Sequence, residues 1–170
     1  ELYCHFNNLT SLELLNNTYL NWLRCSNNMI NSINYNSQLL TYIHCANNQL
    51  QYLNFSNNTL LYYLNIAGNQ FNTLDLSNNF SINYIFAENN NLSSCNVRNN
   101  NNTSISIFKS TNNPLLECIE VDNISYSSNS NSWLKDSWSN YSTNCSLTGC
   151  TDSLACDYNP QAWIDDGSCD

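Results

Sequence analysis

Apolar residues recur along the first two thirds of the chain with a period of about 21 residues. The stretch 20–35 aligns position for position with 40–55 and with 61–76, and a fourth copy covers 82–97. The chain opens inside a further copy at Leu2. Self-similarity at a fixed period predicts a repeat protein in which each copy forms one coil.

Each copy contains two short alternating stretches, exemplified by Leu23-x-Cys25 and Ile33-x-Tyr35. Alternation places the named side chains on one face of a strand and the intervening ones on the other. One such strand cannot bury its face alone, but stacked copies build a parallel sheet around a shared core. The second stretch predicts extended backbone on an opposite wall; it recurs as Leu12/Leu14, Leu53/Phe55, Leu74/Leu76 and Cys95/Val97. We expect little or no helix in the repeats, because the helical period is missing.

A looser fifth copy follows an insertion at residues 99–103. Its repeat positions are Ile105, Phe108, Asn113, Leu115 and Cys118.

One asparagine per copy falls where the chain must turn away from the strand. An inward amide at that point can satisfy backbone groups that the turn leaves unpaired. The predicted asparagine ladder consists of Asn7, Asn28, Asn48, Asn69, Asn90 and Asn113.

This pattern resembles the leucine-rich repeat. The resemblance implies a mainly β solenoid of parallel strands, closed by a C-terminal cap. We expect a leucine-rich repeat solenoid over 1–114, a disulfide-tied cap over 115–147 and a small cysteine-rich module over 148–170.

The composition of the chain limits the classes of partner that it can bind. The net charge is −9, 10% of residues are charged and only four are Lys or Arg, which argues against nucleic acid. Asparagine makes up roughly a fifth of the chain, far above ordinary usage. No stretch is long and apolar enough to predict a transmembrane helix. With no leader visible, the chain is either cytosolic or the mature form of a secreted protein.

The nine cysteines fall into two sets. Cys4, Cys25 and Cys45 share one inward strand position, where parallel neighbours lie about 4.8 Å apart, slightly too far for a relaxed disulfide. We interpret them as buried thiols that replace leucine, and Cys95 as a similar residue on the second wall. The later five lie in loop-rich sequence with little core of its own, which favours cross-links and an oxidising compartment.

Residues 113–122, followed by Trp133, Trp138 and Cys145, look like the C-terminal cap of secreted leucine-rich repeat proteins from Bacteroidetes. A cap is needed because the last coil would otherwise expose core and an open strand edge. The resemblance implies a disulfide between Cys118 and Cys145, with the two tryptophans covering the end of the core.

Residues 149–169 are similar to a small module of the same surface proteins. The matched pattern is Cys-Thr-Asp, then Ala-x-x-Tyr-Asn-Pro-x-Ala, then Asp-Asp-Gly-Ser-Cys. The resemblance implies a disulfide between Cys150 and Cys169, leaves one cysteine of the module over, and leads us to expect a longer parent protein.

Several carboxylates lie close together in the sequence of the module and could bind Ca²⁺. Calcium is the only cofactor that the sequence suggests. The candidate ligands are Asp152, Asp157, Asp165 and Asp166. The spacing differs from the calcium loop of alternating acidic residues, and turn formation uses the same residue types.

Several asparagines precede x-Ser/Thr and are candidate N-glycosylation sites, among them Asn16, Asn57, Asn79 and Asn101. So asparagine-rich a chain would contain several by chance. The resembled group instead attaches O-glycans at Asp-Ser/Thr before an apolar residue, which makes Ser153 the best single candidate.

Outward strand positions form two rows. The first consists of Trp22, Tyr42, Tyr63 and Tyr84, and the second of Tyr3, Arg24, His44, Asn65, Phe86 and Lys109. Such aromatics suit glycans or protein surfaces, or they stabilise a sheet of low charge by cross-strand stacking.

Catalysis is not predicted. His44 lies next to Cys45, but adjacent strand residues point to opposite faces, so the imidazole cannot activate the thiol. No phosphate loop, nucleophile elbow or zinc spacing occurs.

Two functions remain. The first is a secreted structural or adhesive subunit that assembles head to tail, because an uncapped first coil would expose Leu2, Cys4, Leu9 and Leu12. Preceding sequence could also cover that edge. The second is a recognition module that binds polysaccharide or a host protein through the aromatic rows.

Overall fold

The computed structural model describes residues 1–146, 148–159, 162 and 164–170. The strands are short, and each occupies one side of one coil. They are β1 (Leu2–Tyr3), β2 (Ser11–Leu14), β3 (Trp22–Arg24), β4 (Ser32–Tyr35), β5 (Tyr42–His44), β6 (Tyr63–Asn65), β7 (Thr73–Asp75), β8 (Tyr84–Phe86), β9 (Ser94–Asn96), β10 (Ile107–Lys109), β11 (Cys118–Glu120), β12 (Trp133–Leu134) and β13 (Asn140–Ser142). The described helices are a 3₁₀ turn, Asn102–Ser104, and α1, Ile124–Asn129.

One wall is a continuous seven-stranded sheet in the order β1-β3-β5-β6-β8-β10-β12, and every pair is parallel. The opposite wall consists of two separate parallel sheets, β2-β4 and β7-β9-β11-β13. The predicted parallel-strand solenoid with almost no helix is confirmed.

The register between coils follows the repeat. Leu23 pairs with Leu2 on one side and with Ile43 on the other, and the pattern continues to Leu64 and Ile85. These side chains form the centre of one apolar core that runs through the solenoid. Each coil repeats the same inward positions. The alignment of the sequence copies therefore predicts which residues pair between neighbouring strands.

The second wall is interrupted in the third coil. Residues 51–55 lie between β4 and β7 without forming a strand. Leu53 and Phe55 point inward as predicted and are buried. This stretch is not paired as a strand with β4, and the Asn54 carbonyl accepts a side-chain hydrogen bond from the Tyr35 hydroxyl instead.

The asparagine ladder connects successive coils. The Asn48 side-chain oxygen accepts from the Ile30 amide at 3.0 Å, and its nitrogen donates to the carbonyls of Cys25 and Cys45 at 3.1 and 3.0 Å. The same pattern recurs at Asn28, Asn69, Asn90 and Asn113. Each amide thus satisfies backbone groups of two coils that the turn would otherwise bury unpaired.

The residue before each ladder asparagine adopts a left-handed conformation. Asn27, Asn47, Asn89 and Asn112 have φ between 54° and 59°, and Gly68 has φ 66°. Asparagine tolerates this region better than most residues. A Cβ at position 68 would lie 2.4 Å from Oδ1 of Asn47, so the exposed Asn47 side chain would have to move if glycine were replaced. In each Asn-Asn doublet, the first residue therefore adopts the left-handed turn conformation and the second makes the ladder hydrogen bonds.

A second ladder, which the sequence analysis missed, lines the other turn. Asn58 donates to the Ser37 carbonyl at 2.8 Å, Asn79 to the Asn58 carbonyl at 2.7 Å, and Asn99 to the Asn79 carbonyl at 3.0 Å. All three asparagines are buried. A second Asn-Asn doublet in each of these copies was the available signal.

The cap continues the solenoid. β11 and β13 extend the second wall and β12 extends the first, so Ile119 and Trp133 join the same core. The predicted register of the fifth copy is wrong by one residue: Leu115 is exposed, and Leu116 is buried in its place. The turn that follows Asn113 contains one more residue than the corresponding turn of the other copies. It is closed by a hydrogen bond from the Leu116 amide to the Asn113 carbonyl.

Trp133 covers the end of the core as expected and is 5% exposed. Trp138 does not, because 49% of its surface is exposed.

We predict that Asn48→Ala lowers the free energy of unfolding by about 2 kcal/mol, because it leaves the Ile30 amide without a partner and removes one of the two ladder bonds at each of the Cys25 and Cys45 carbonyls. Guanidinium unfolding followed by circular dichroism measures the change. Asn78→Ala is the matched control, since this asparagine is exposed and its effect should stay within about 0.5 kcal/mol. An equal, small effect of both variants would contradict the role given to the ladder.

Candidate functional site

The first aromatic row lies on the outer face of the seven-stranded sheet, in the predicted order. Strand pairing sets Trp22 beside Tyr42, Tyr42 beside Tyr63, and Tyr63 beside Tyr84. The first two pairs are stacked, with ring centroids 3.7 and 4.3 Å apart and planes within 2° and 8°. The Tyr63–Tyr84 pair is more open, at 6.0 Å and 38°.

Stacking determines what this row can offer to a ligand. The facing surfaces of Trp22, Tyr42 and Tyr63 are covered by the neighbouring ring, so mainly ring edges and hydroxyl groups remain for contacts. This geometry supports the interpretation that the row stabilises the sheet. Each stacked aromatic pair contributes about 0.5–1.5 kcal/mol to stability beyond the effect of the area that it buries.

The second row carries the charged groups of this face. His44 lies between Arg24 and Asn65 in the sheet. Burial, and then the positive charge of Arg24, lower the pKa of His44. At the other end of the row, Nζ of Lys109 lies 5.6 Å from the ring centroid of Phe86.

Several buried nitrogen atoms of this face have no hydrogen-bond partner in the part of the chain that the structure describes. They are Trp22 Nε1, Arg24 Nε, His44 Nδ1 and His5 Nδ1. Each of these atoms is enclosed by its neighbours, so a ligand would reach it only after those neighbours moved.

The cysteines occupy the positions inferred from the sequence. Cys25 and Cys45 are buried thiols, and burial raises the pKa of both, that of Cys45 to about 12. Cys4 is a half-buried thiol in the same row, and Cys95 is buried in the second wall. A thiol with so high a pKa is a poor nucleophile, because the thiolate is the reactive form.

The two predicted disulfides are present. Cys118 is joined to Cys145 and Cys150 to Cys169, with Cα–Cα distances of 5.8 and 4.8 Å. The remaining cysteine of the module, Cys156, is an exposed thiol.

The acidic residues of the module form turns instead of a metal site. Asp152, Asp165 and Asp166 each accept a hydrogen bond from a backbone amide two residues further on, and Asp157 accepts from the Asp170 amide. Among the described residues no group of three or more acidic, histidine or cysteine side chains could hold a metal ion. The suggested calcium site is therefore not formed by this part of the chain.

The candidate glycosylation sites differ in accessibility. Ser153, Asn16 and Asn57 are exposed, and Asn101 is half-buried with its amide donating to the Ile82 carbonyl. Asn79 is fully buried in the second ladder, so the fold leaves no room for a glycan on this side chain. The sequence motif alone could not reveal this burial.

The predicted assembly edge forms the first coil. Leu2, Cys4, Leu9 and Leu12 pack on the core but are only partly buried. β1 and β2 lie at the edges of their sheets, each paired on one side only. Asn7 donates to the carbonyls of Cys4 and His5, both in its own coil.

Comparison of the chain with protein-family models, with curated proteins and with solved structures finds no match. Within the described ranges, no helix is long and apolar enough to cross a membrane.

We predict that Tyr42→Ser lowers the free energy of unfolding by about 2 kcal/mol, because it removes a ring that stacks on both neighbours. Chemical denaturation of the purified variant measures this. Tyr52→Ser serves as the matched control, since Tyr52 is 64% exposed and its loss should change stability by less than about 0.5 kcal/mol. Wild-type stability of Tyr42→Ser would mean that the row is maintained for contacts outside the chain.

Proposed function

We propose that this chain is a non-enzymatic extracellular protein with a structural or adhesive role, and that it assembles head to tail through the two ends of its solenoid. Such a contact joins different surfaces of identical subunits, so it does not close on itself and generates a filament.

The observation that carries the proposal is the unfinished ladder at Asn7. In the following coils, the ladder oxygen accepts a backbone amide of the preceding coil, as Asn28 does from Leu9 at 3.0 Å. The Asn7 side-chain oxygen accepts no such bond within the described residues. A further coil would supply such a partner, whether that coil belongs to a second copy or to sequence before Glu1.

The apolar surface of the same coil supports this reading. Side chains that are buried in other coils, such as Ile30 and Ile43, correspond here to Leu9 and Leu2, which keep part of their surface in water. Unpaired edges of β1 and β2 add main-chain donors and acceptors. An edge of this kind favours pairing with another strand.

The opposite end offers a complementary surface. β12 and β13 are the last strands of their sheets, and each is paired on one side only. Leu134 in β12 and Trp138 just before β13 are 45% and 49% exposed. Because every strand is parallel, a second copy stacked here would continue both walls in the same direction.

The cysteine chemistry supports the extracellular part of the proposal. Two disulfides hold the cap and the module, and structural disulfides persist in oxidising compartments. The secreted Bacteroidetes-type surface proteins that the cap and module resemble are the proposed relatives. The buried thiols favour a structural role over a catalytic one, because burial raises their pKa.

A second candidate function is recognition of a polysaccharide or a protein at the two aromatic rows. The half-buried side chains of Tyr42, Tyr63 and Tyr84 favour it, since their ring edges and hydroxyl groups remain open to a ligand on the outer face of the sheet. The stacking of Trp22, Tyr42 and Tyr63 favours the structural alternative.

We predict that the wild-type chain sediments as concentration-dependent oligomers and forms fibres visible by electron microscopy. The double variant Leu9→Lys, Leu12→Lys should remain monomeric. Lysine at these half-buried edge positions can extend its ammonium group to water, so the coil stays folded but a neighbour cannot stack on it. Sedimentation velocity between about 1 and 100 μM covers the range of ordinary assembly contacts.

Tyr19→Lys is the matched control, because it adds a charge to the same coil at a side chain that is 87% exposed. This variant should assemble as the wild type does, and circular dichroism should show that all variants are folded. A wild-type chain that stays monomeric throughout would refute the proposed contact. So would a double variant that assembles normally.

A further inference from the structure

The break in the second wall opens a groove. It lies between β4 and residues 51–58 of the next coil and has a volume of about 510 Å³. That volume falls in the range of about 300–1,000 Å³ that is typical of ligand sites. The groove faces away from the aromatic rows, which lie on the opposite wall.

The groove has a specific structural cause. In the regular part of this wall, a backbone amide donates to the next coil, as Leu76 does to the Asn96 carbonyl at 2.8 Å. At the corresponding place, the Asn54 carbonyl accepts from the Tyr35 hydroxyl at 2.5 Å instead. The same hydroxyl lies 3.0 Å from Oδ1 of Asn58. The phenol ring therefore spaces the two coils and keeps the groove open.

The lining carries no charge at neutral pH. Eight of the fifteen lining residues are carboxamides, and two are serines, two tyrosines and three aliphatic. A lining without cations does not select a phosphate, a sulfate or a carboxylate, and one without carboxylates does not select a cation.

Part of this polar lining is available to a ligand. The side chains of Asn31, Asn36, Gln38 and Asn57 make no hydrogen bond within the described part of the chain, and all four are exposed. A carboxamide presents two donors and an acceptor together. A sugar hydroxyl, which both donates and accepts, matches that arrangement.

Aromatic and apolar surface lies beside these amides. Tyr52 is 64% exposed and Leu15 54% exposed, and both line the groove. Unlike Tyr42, Tyr52 stacks on no other ring of the described residues. An exposed ring next to neutral polar groups suits the apolar C–H face of a sugar.

We propose that this groove binds an uncharged oligosaccharide. Free amides at Asn36 and Asn57 bind its hydroxyl groups, and the ring of Tyr52 packs on a sugar face. An extended peptide fits less well, because a strand added along β4 would have to break the bond that Tyr35 makes across the groove to Asn54. The proposal does not depend on head-to-tail assembly.

Isothermal titration with cellohexaose, maltohexaose and mannohexaose tests the proposal on the intact chain, with hexagalacturonate as the charged comparison. At least one neutral hexasaccharide should bind, and more tightly than hexagalacturonate. Tyr52→Ala and the double variant Asn36→Ala, Asn57→Ala should each weaken that binding at least about tenfold. All these side chains are exposed, so thermal unfolding should remain as in the wild type.

Tyr19→Ala is the control, because it removes a tyrosine that is even more exposed than Tyr52 and lies outside the groove, and it should leave the affinity unchanged. The proposal is overturned if no neutral hexasaccharide binds at millimolar concentration, or if Tyr52→Ala has no more effect than Tyr19→Ala. It is also overturned if hexagalacturonate binds as tightly, or if an Asn/Ser-rich peptide binds in the groove and the saccharides do not.

Discussion

The constraint on which this structure depends is the pairing of backbone groups at the turns of each coil. A chain that winds around a dry core must turn with its amides and carbonyls near that core, where each unpaired group costs about 1–3 kcal/mol. Buried asparagine side chains meet this demand. Asn48 connects its own coil to the preceding one through three hydrogen bonds of 3.0–3.1 Å, and Asn58 and Asn79 do the same on the other turn.

Other features follow from that constraint. The Asn-Asn doublets pair a left-handed turn residue with a ladder residue, which accounts for much of the asparagine content. Because the ladders fix the register, identical positions stack along the sheet, and the rings of Trp22 and Tyr42 lie face to face. Among the described residues, the Asn7 oxygen accepts no amide from another coil, whereas Asp136 in the cap accepts from the amide of Asn113.

Much of the fold could be predicted from the sequence, because the repeat is local and its inward positions are strictly spaced. Leu23 and Ile43 pair as the aligned copies require. Deviations arise where one residue alters a coil. The Tyr35 hydroxyl replaces a ladder bond, and one additional residue in the turn after Asn113 moves burial from Leu115 to Leu116. The groove was missed for the same reason, since it results from a contact between coils that no single repeat encodes.

The central claim is that the ladder asparagines hold the coils together, and amide hydrogen exchange measured residue by residue tests it most directly. The amides of Ile30, Leu50 and Phe71 lie outside the strands, and each donates only to a ladder oxygen, at 3.0 Å. If the ladder holds the coils together, these amides should exchange as slowly as those of the central strands, through unfolding of the solenoid. Exchange as fast as that of exposed loop amides would contradict it.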